Sequence, residues 1–167
     1  MTRTLTHAEL EAWRSVFTAH GLVVRKVEDG FADAGLPPML WYDLLYALYL
    51  SPGRSRRMHE LADAVLISRS GLTRLVDRIE AAGLIERRRC PTDRRGLEVT
   101  LLPDGISMLR RLWRVYEPIV VELFAENVGD PSAVAKSLEP VVEALRPEAW
   151  ADVSAAARSS SVRRATA

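Results

Sequence analysis

The feature that most limits how this chain can fold is a capped helix followed directly by two strand-like segments. Ser68 is placed to accept a hydrogen bond from a free amide in the first turn of RSGLTRLVDRIEAAG, and Gly83 is a suitable residue to end this helix. One helix face is apolar and carries Leu72, Leu75, Val76 and Ile79. The segments LIERR and LEVTLL follow, on either side of a basic turn. A helix and a hairpin of this kind must bury their apolar faces against further elements.

A short helix before Ser68 completes a known structural unit. MHELADAV, from Met58 to Val65, is joined to Ser68 by a tight connection through Leu66 and Ile67. Helix, short turn, helix and hairpin, in this order, describe a winged helix-turn-helix. We therefore predict a mainly α fold with a small β-hairpin wing, in which this core is flanked by N- and C-terminal dimerisation helices.

Four further helices are predicted around this unit. The first begins at a capping box formed by Thr6 and Glu9, and the second is the apolar segment MLWYDLLYALYL. The third begins at Pro103 and should be kinked by Pro118, and the last begins near Asp130. A twofold partner would cover the broad apolar faces of the terminal helices, although they could instead pack on their own domain. The predicted division is 1–36 (N-terminal dimerisation helix), 37–102 (winged helix-turn-helix), 103–157 (C-terminal dimerisation helices) and 158–167 (disordered tail).

Charge is distributed unevenly along the chain. The formal net charge is only +1, but residues 54–95 hold eleven arginines against six acidic residues, a local charge of +5. A polyanion is the expected partner of this basic middle section. No apolar run approaches the roughly 20 residues of a membrane span, and the N-terminus is unlike a signal peptide, so we expect a cytoplasmic protein. One cysteine excludes an intramolecular disulfide, and three scattered histidines predict neither a metal nor another cofactor.

The exposed face of the helix after Ser68 suits the major groove of DNA. Ser70, Thr73 and Arg74 carry short or fork-shaped donors near the N-terminus of the helix, and an arginine can hold a guanine through two hydrogen bonds. Gly71 leaves room for a close approach of the backbone.

The basic turn suits the DNA backbone and the minor groove. Arg95, at the tip, is the candidate for insertion into the narrow, negative minor groove, and Asp93 can hold a neighbouring guanidinium in place. Arg87, Arg88, Arg89 and Arg94 are assigned to phosphates, with the loop GRSRR as a weaker candidate. The predicted DNA-contacting residues are Ser68, Arg69, Ser70, Thr73, Arg74, Arg78, Arg87, Arg89, Asp93, Arg94 and Arg95.

The segment SRSGLTRLVDRIEAAGLIERRRCPTDRRGLEVTLLPDG resembles the reading helix and wing of the MarR (multiple antibiotic resistance regulator) family of bacterial transcription factors. The most specific parts of the resemblance are LTRLVDR and the D-R-R of the wing. The order of the predicted elements agrees with that of the family from Leu5 to about Leu145. The resemblance implies a homodimer held by the first and the last two helices, bound to a pseudo-palindromic operator. It also implies major-groove contacts at Ser70, Thr73 and Arg74, and a minor-groove contact at Arg95. One departure is Leu101-Leu102, where the family usually has Leu-Thr, so a threonine cap is missing.

The resemblance further implies repression that is relieved by a small phenolic or lipophilic effector, bound between the dimer arms and the reading domain. Apolar walls with a few polar groups are typical of such sites. Aromatic residues at helical spacing also fill ordinary cores, so both interpretations stay open for each residue. The candidate effector-binding residues are Trp13, Phe17, His20, Trp41, Tyr42, Tyr46, Trp113 and Tyr116.

Other functional classes are less well supported by the residues. No nucleophile elbow, phosphate loop, metal cluster or paired catalytic carboxylates stand out, so we do not expect an enzyme. A winged-helix architectural or activator protein that lacks small-molecule control is the alternative. Cys90 lies among arginines that would favour its thiolate, and it is either a redox switch or an unremarkable wing residue.

Overall fold

The computed structural model describes residues 3–89 and 97–145. Within these ranges the chain forms six α-helices, three short strands, a 3₁₀ turn and a π-helical turn. In chain order the elements are α1 (His7–Asp33), α2 (Met39–Leu50), the 3₁₀ turn (Pro52–Arg54), β1 (Ser55–Arg57), α3 (Met58–Val65), α4 (Arg69–Ala81), β2 (Ile85–Arg89), β3 (Leu97–Leu101), α5 (Pro103–Val120), the π-helical turn (Val121–Ala125) and α6 (Pro131–Leu145). A mainly helical chain with a small β wing confirms the predicted fold class.

The wing is a three-stranded antiparallel sheet with the order β1-β3-β2. Ile85 pairs with Leu101 and Arg89 with Leu97, while Ser55 of β1 pairs with Thr100 on the other edge of β3. The sequence predicted β2 and β3 but missed β1. Three residues in a basic loop carry no alternating apolar pattern, and β1 exists only because β3 offers it a free edge.

One hydrophobic core joins the winged unit to parts of the flanking helices. Its fully buried side chains come from α1, α2, α3, α4, β2, β3 and α5; the largest include Phe31, Leu44, Leu48, Leu61, Leu75, Ile79, Ile85 and Leu112. The apolar face predicted for α4 is buried at each of its four residues. The C-terminal part of α1 and the N-terminal part of α5 therefore share the core of the reading domain, although both were predicted to belong to dimerisation segments.

The N-terminus of α1 is fixed by the predicted capping box. The Glu9 amide donates to Thr6 Oγ1 at 3.3 Å, and the Thr6 amide donates to the Glu9 carboxylate at 2.8 Å. The Arg3 guanidinium, together with these capping hydrogen bonds, lowers the pKa of Glu9 to about 2. The capping box is confirmed. Leu5 and Leu10 flank it at the positions where two apolar side chains often pack on each other, but they are 64% and 41% exposed.

Two turns set the geometry of the helix-turn-helix. Leu66 ends α3 with a φ of 56°, a left-handed conformation that is strained for a residue with a Cβ, and its side chain is exposed. Gly83 ends α4 with a φ of 73°, as predicted, and the Leu84 amide donates to the Ile79 carbonyl oxygen at 3.2 Å. The two turns fix the angles at which α4 leaves α3 and β2 leaves α4.

α5 begins without a side-chain cap. Leu102 is the N-cap residue, and its amide donates instead to the Leu84 carbonyl oxygen at 3.0 Å, which ties the start of α5 to the start of β2. Pro118 lies inside α5, and the π-helical turn begins three residues later. The sequence predicted a kink at Pro118, because proline removes one helical donor. None of the helices in residues 3–89 and 97–145 is long and apolar enough to cross a membrane.

Candidate nucleic-acid interface

The outward face of α4 presents the predicted base-reading residues together. While Leu72, Leu75, Val76 and Ile79 hold the helix against the core, the opposite side faces solvent. The six predicted contact residues of this helix and its cap are all exposed: Ser68, Arg69, Ser70, Thr73, Arg74 and Arg78. The structure thus brings three arginines and three hydroxyl groups onto one exposed surface.

The N-terminal turn of α4 is held by its own side chains. Ser68 Oγ accepts from the Gly71 amide at 3.1 Å and lies 3.3 Å from Ser70 Oγ. Thr73 Oγ1 donates to the Arg69 carbonyl oxygen at 3.1 Å, so its lone pairs stay free to accept. A Cβ at Gly71 would lie 3.1 Å from Ser68 Oγ, so the glycine gives room to the cap as well as to an approaching ligand. The cap predicted at Ser68 is confirmed.

Arg87 is engaged by α4 rather than directed to solvent. Its Nη1 lies 2.7 Å from Asp77 Oδ1, and its Nε donates to Glu80 Oε2 at 2.8 Å. Its backbone amide donates to the other oxygen of Glu80 at 2.7 Å. These hydrogen bonds lower the pKa of Glu80, and the same pairing raises the pKa of Arg87. The sequence assigned Arg87 to phosphate, and it gave no sign of this tertiary ion pair.

The two arginines that follow Arg87 on β2 are more exposed than Arg87. Arg88 pairs with Glu86 on its own strand and is 63% exposed, and Arg89 is exposed at the end of β2. Three predicted contact residues, Asp93, Arg94 and Arg95, lie outside the described residues, and so does Cys90.

The basic loop before α3 offers fewer exposed arginines for phosphate contacts than its sequence indicated. Arg56 is only 5% exposed, and its Nε donates to Ser51 Oγ at 3.0 Å. Ser51 Oγ in turn donates to the Ala47 carbonyl oxygen at 2.7 Å, so Arg56 ties β1 to the end of α2. Arg54 is exposed, with its guanidinium 5.4 Å from the centre of the Tyr49 ring. A phosphate contact from this loop is therefore reasonable for Arg54 but not for the buried Arg56.

A groove of about 550 Å³ lies between α1, the start of α2, α5, the π-helical turn and α6. Of the eight candidate effector-binding residues, His20 and Tyr116 line it. The rest of the lining was not predicted, because mostly small apolar residues from five separate elements have no local signature. It consists of Ser15, Val16, Ala19, Val23, Val24, Val27, Met39, Val120, Phe124, Val134 and Leu138.

The remaining aromatic candidates serve other contacts. Tyr42 is buried and stacks on Tyr46, Trp113 and Tyr116, with ring centroids 4.6–6.3 Å apart. This stack joins α2 to α5, which is the core-filling role that the sequence left open. Trp41 packs against the core, whereas Trp13 and Phe17 form an exposed pair on α1, 60% and 68% accessible.

Comparisons with known proteins place this fold in a family. The model of the MarR family matches residues 34–96, which span α2 to the wing. The crystal structure of AbsC, a MarR family transcriptional regulator from Streptomyces coelicolor, is 33% identical; the match covers 86% of this chain and 98% of AbsC, with a TM-score of 0.75. The chain belongs to the MarR family. Its family and fold are those of DNA-binding transcriptional regulators and not of enzymes.

Other relatives agree with this assignment. Sco3205 from Streptomyces coelicolor, crystallised in complex with DNA, is 33% identical over 89% of this chain and 94% of its own, with a TM-score of 0.77. The MarR protein of Salmonella typhimurium is 29% identical over 86 residues. A transcriptional regulatory protein assigned to the hcr operon of Thauera aromatica is 36% identical over 78 residues. The chain spans about half the length of these two curated relatives, 60% and 45% respectively.

Proposed function

We propose that this MarR-family chain is a homodimeric, sequence-specific regulator that binds double-stranded DNA through α4 and the wing. The observation that carries the proposal is the exposed α4 face, on which Ser70, Thr73 and Arg74 stand on a helix fixed by its cap and by four buried apolar residues. A base-reading helix needs this combination of exposed hydrogen-bonding groups and a rigid support. Support also comes from Sco3205, a 33% identical relative crystallised with DNA.

The homodimer is inferred from what α1 and α6 leave uncovered. Every residue from Leu10 to Leu22 is exposed, including Trp13, Val16 and Phe17. α6 has no buried residue, and Val141, Val142 and Leu145 are between 46% and 79% exposed. Helices of this length with bare apolar faces are unfavourable in water. A second copy that pairs its arms, defined as Leu10–Leu22 of α1 and Val141–Leu145 of α6, would cover both faces and set the two reading helices about 34 Å apart.

The groove supports the ligand-responsive part of the proposal, in which an effector relieves repression. Its lining includes no Asp, Glu, Lys or Arg, and Ser15, His20 and Tyr116 supply the side-chain hydrogen-bonding groups. Such a lining favours an uncharged phenol over a carboxylate, because no lysine or arginine offsets the desolvation of an anion. The groove touches both the arm and α5, so a bound molecule would act on the link between the dimer and the reading domain.

The experiment that tests this function is a gel-shift titration on DNA from upstream of the chain's own gene, with random DNA as competitor. We expect selective binding, and a loss of about 5- to 100-fold for Arg74→Ala, because a bidentate contact to guanine contributes roughly 1–3 kcal/mol. Arg111→Ala removes an exposed positive charge from α5 and serves as the control. Arg95→Ala tests the wing tip in the same series. The titration is repeated with phenol and with benzoate, and release by phenol alone is expected.

Equal binding to specific and random DNA would contradict sequence-specific reading and favour the architectural alternative. Selective binding that neither compound alters would contradict the effector proposal for simple phenols while leaving DNA recognition standing.

A further inference from the structure

The polar contact between β2 and α4 joins Arg87 to two acidic residues, Asp77 and Glu80. Both oxygens of the Glu80 carboxylate are used, one by the Arg87 amide at 2.7 Å and the other by its Nε at 2.8 Å. Nη1 of Arg87 reaches Asp77 at 2.7 Å, so the guanidinium bridges two carboxylates one helical turn apart. Charge-assisted bonds of this kind are the stronger hydrogen bonds in proteins, and their fork geometry fixes direction as well as distance.

Arg87 lies at a position in the sheet where its contact with α4 can set the direction of the hairpin. Arg87 lies two residues after Ile85, on the same face of β2, and it pairs in register with Val99 of β3. Ile85 and Val99 are fully buried, whereas Arg88 and Arg89 are exposed. Arg87 therefore lies where the hairpin leaves the core, the point at which its direction relative to α4 is set.

A direct role in phosphate binding conflicts with these contacts. To reach a phosphate, Arg87 would have to leave Asp77 and Glu80, and two unpaired carboxylates would then face the negatively charged DNA. Keeping the pair intact avoids this repulsion. Its side chain is also only 28% exposed, compared with 63% for Arg88.

We propose that Arg87 is a positioning residue: clamped by Glu80 and Asp77, it fixes the wing at the angle to α4 that DNA binding requires, and it contacts no phosphate itself. The proposal rests on the proposed function, since it concerns how the same surface meets DNA. It replaces the phosphate contact that the sequence suggested for Arg87.

The sign of one mutational effect distinguishes the two roles. If Arg87 bound phosphate, Glu80→Ala would free it and remove a negative charge, so DNA binding should tighten. If Arg87 is a clamp, Glu80→Ala should weaken DNA binding despite the lost negative charge, by roughly tenfold for a charge-assisted contact of ordinary strength. Arg87→Ala should cost about the same, and the double variant should cost no more than either alone. Glu86→Ala is the matched control, because its partner Arg88 lies on the same strand.

Two further measurements complete the test. Hydroxyl-radical footprints of the Glu80 and Arg87 variants should lose the outer, wing-side protection and keep the central protection by α4. In the free protein, hydrogen exchange of the β2 and β3 amides should accelerate in both variants and not in Glu86→Ala. Because the exchange measurement is made without DNA, it distinguishes failure of the clamp from failure of DNA binding as such. Glu80→Gln repeats the series if the alanine variant is poorly folded. Tighter or unchanged DNA binding by the Glu80 variants, or unchanged amide exchange, would overturn the proposal.

Discussion

At the scale of single residues, Asp43 is an acidic side chain in an unfavourable apolar environment. It lies on α2, the most apolar helix, and is partly buried beside Glu28, whose carboxylate accepts from the Met39 amide at 3.2 Å. Burial, with a smaller contribution from Glu28, raises the pKa of Asp43 to about 6. An acid with a raised pKa stabilises the fold most when it is protonated, so its contribution is complete below about pH 4 and is lost as the pH rises through 6.

Replacing Asp43 by Asn should remove this pH-dependent loss in the free energy of unfolding. At pH 7.5 we expect Asp43→Asn to be more stable than the wild type by about 3 kcal/mol, since each unit of pKa corresponds to roughly 1.4 kcal/mol. At pH 4 the two proteins should unfold together. Urea unfolding at pH 4, 5, 6 and 7.5 measures the difference, with Asp29→Asn on the exposed face of α1 as the control. A variant that is no more stable at pH 7.5 would show that the ionised carboxylate is well solvated.

At the scale of elements, the start of α5 is set by a close approach to the start of β2. A Cβ on Gly105 would lie 2.2 Å from the Leu84 carbonyl oxygen and 2.6 Å from Leu101 Cδ1. That carbonyl also accepts from the Leu102 amide, so it cannot move away without losing the hydrogen bond. The glycine therefore compensates for the absent side-chain cap, because it lets the chain itself supply the N-terminal contact.

Gly105→Ala should separate α5 from the wing. We expect a loss of about 2–4 kcal/mol, because backbone atoms must shift within a packed region. Gly21→Ala is the matched change, made in a chain kept monomeric by Phe17→Asp because Gly21 lies in the proposed dimer arm. Nothing lies within 4 Å of the added methyl group there, and alanine should be neutral or stabilise by up to about 1 kcal/mol. Thermal and urea unfolding of both variants measure the contrast. Equal stabilities would mean that α5 can shift freely at its N-terminus.

At the scale of the whole molecule, a buried core in the reading domain contrasts with arms whose apolar side chains are exposed. The C-terminal part of α1 contributes Val27 and Phe31 to the core, whereas the segment from Leu10 to Leu22 is exposed throughout. The proposed dimer would bury the face of this segment that carries Trp13 and Phe17. Since α1 is one continuous helix, it would connect that interface directly to the core of the reading domain.

A charge placed on the arm should prevent dimerisation. Phe17→Asp puts a carboxylate in place of an exposed aromatic ring, and its burial against a partner would cost several kcal/mol. We expect a monomer by light scattering after size-exclusion chromatography, with DNA binding greatly weakened. Ala12→Asp adds the same charge about 140° around the helix from Phe17 and should leave the dimer intact. A Phe17→Asp dimer as stable as the wild type would place the interface elsewhere.

The sequence by itself determined what is local. The capping box at Thr6, the Ser68 cap, the left-handed Gly83 and the extents of α2, α3 and α4 follow from short-range periodicity and cap chemistry, and the structure confirms them. The tertiary structure decided what depends on residues distant in sequence. β1 forms on the free edge of β3, Arg56 is buried against Ser51, and most of the predicted effector aromatics form the stack between α2 and α5. The role of Arg87 belongs to this second group, because a guanidinium takes its partners from the carboxylates that folding brings within 3 Å of it.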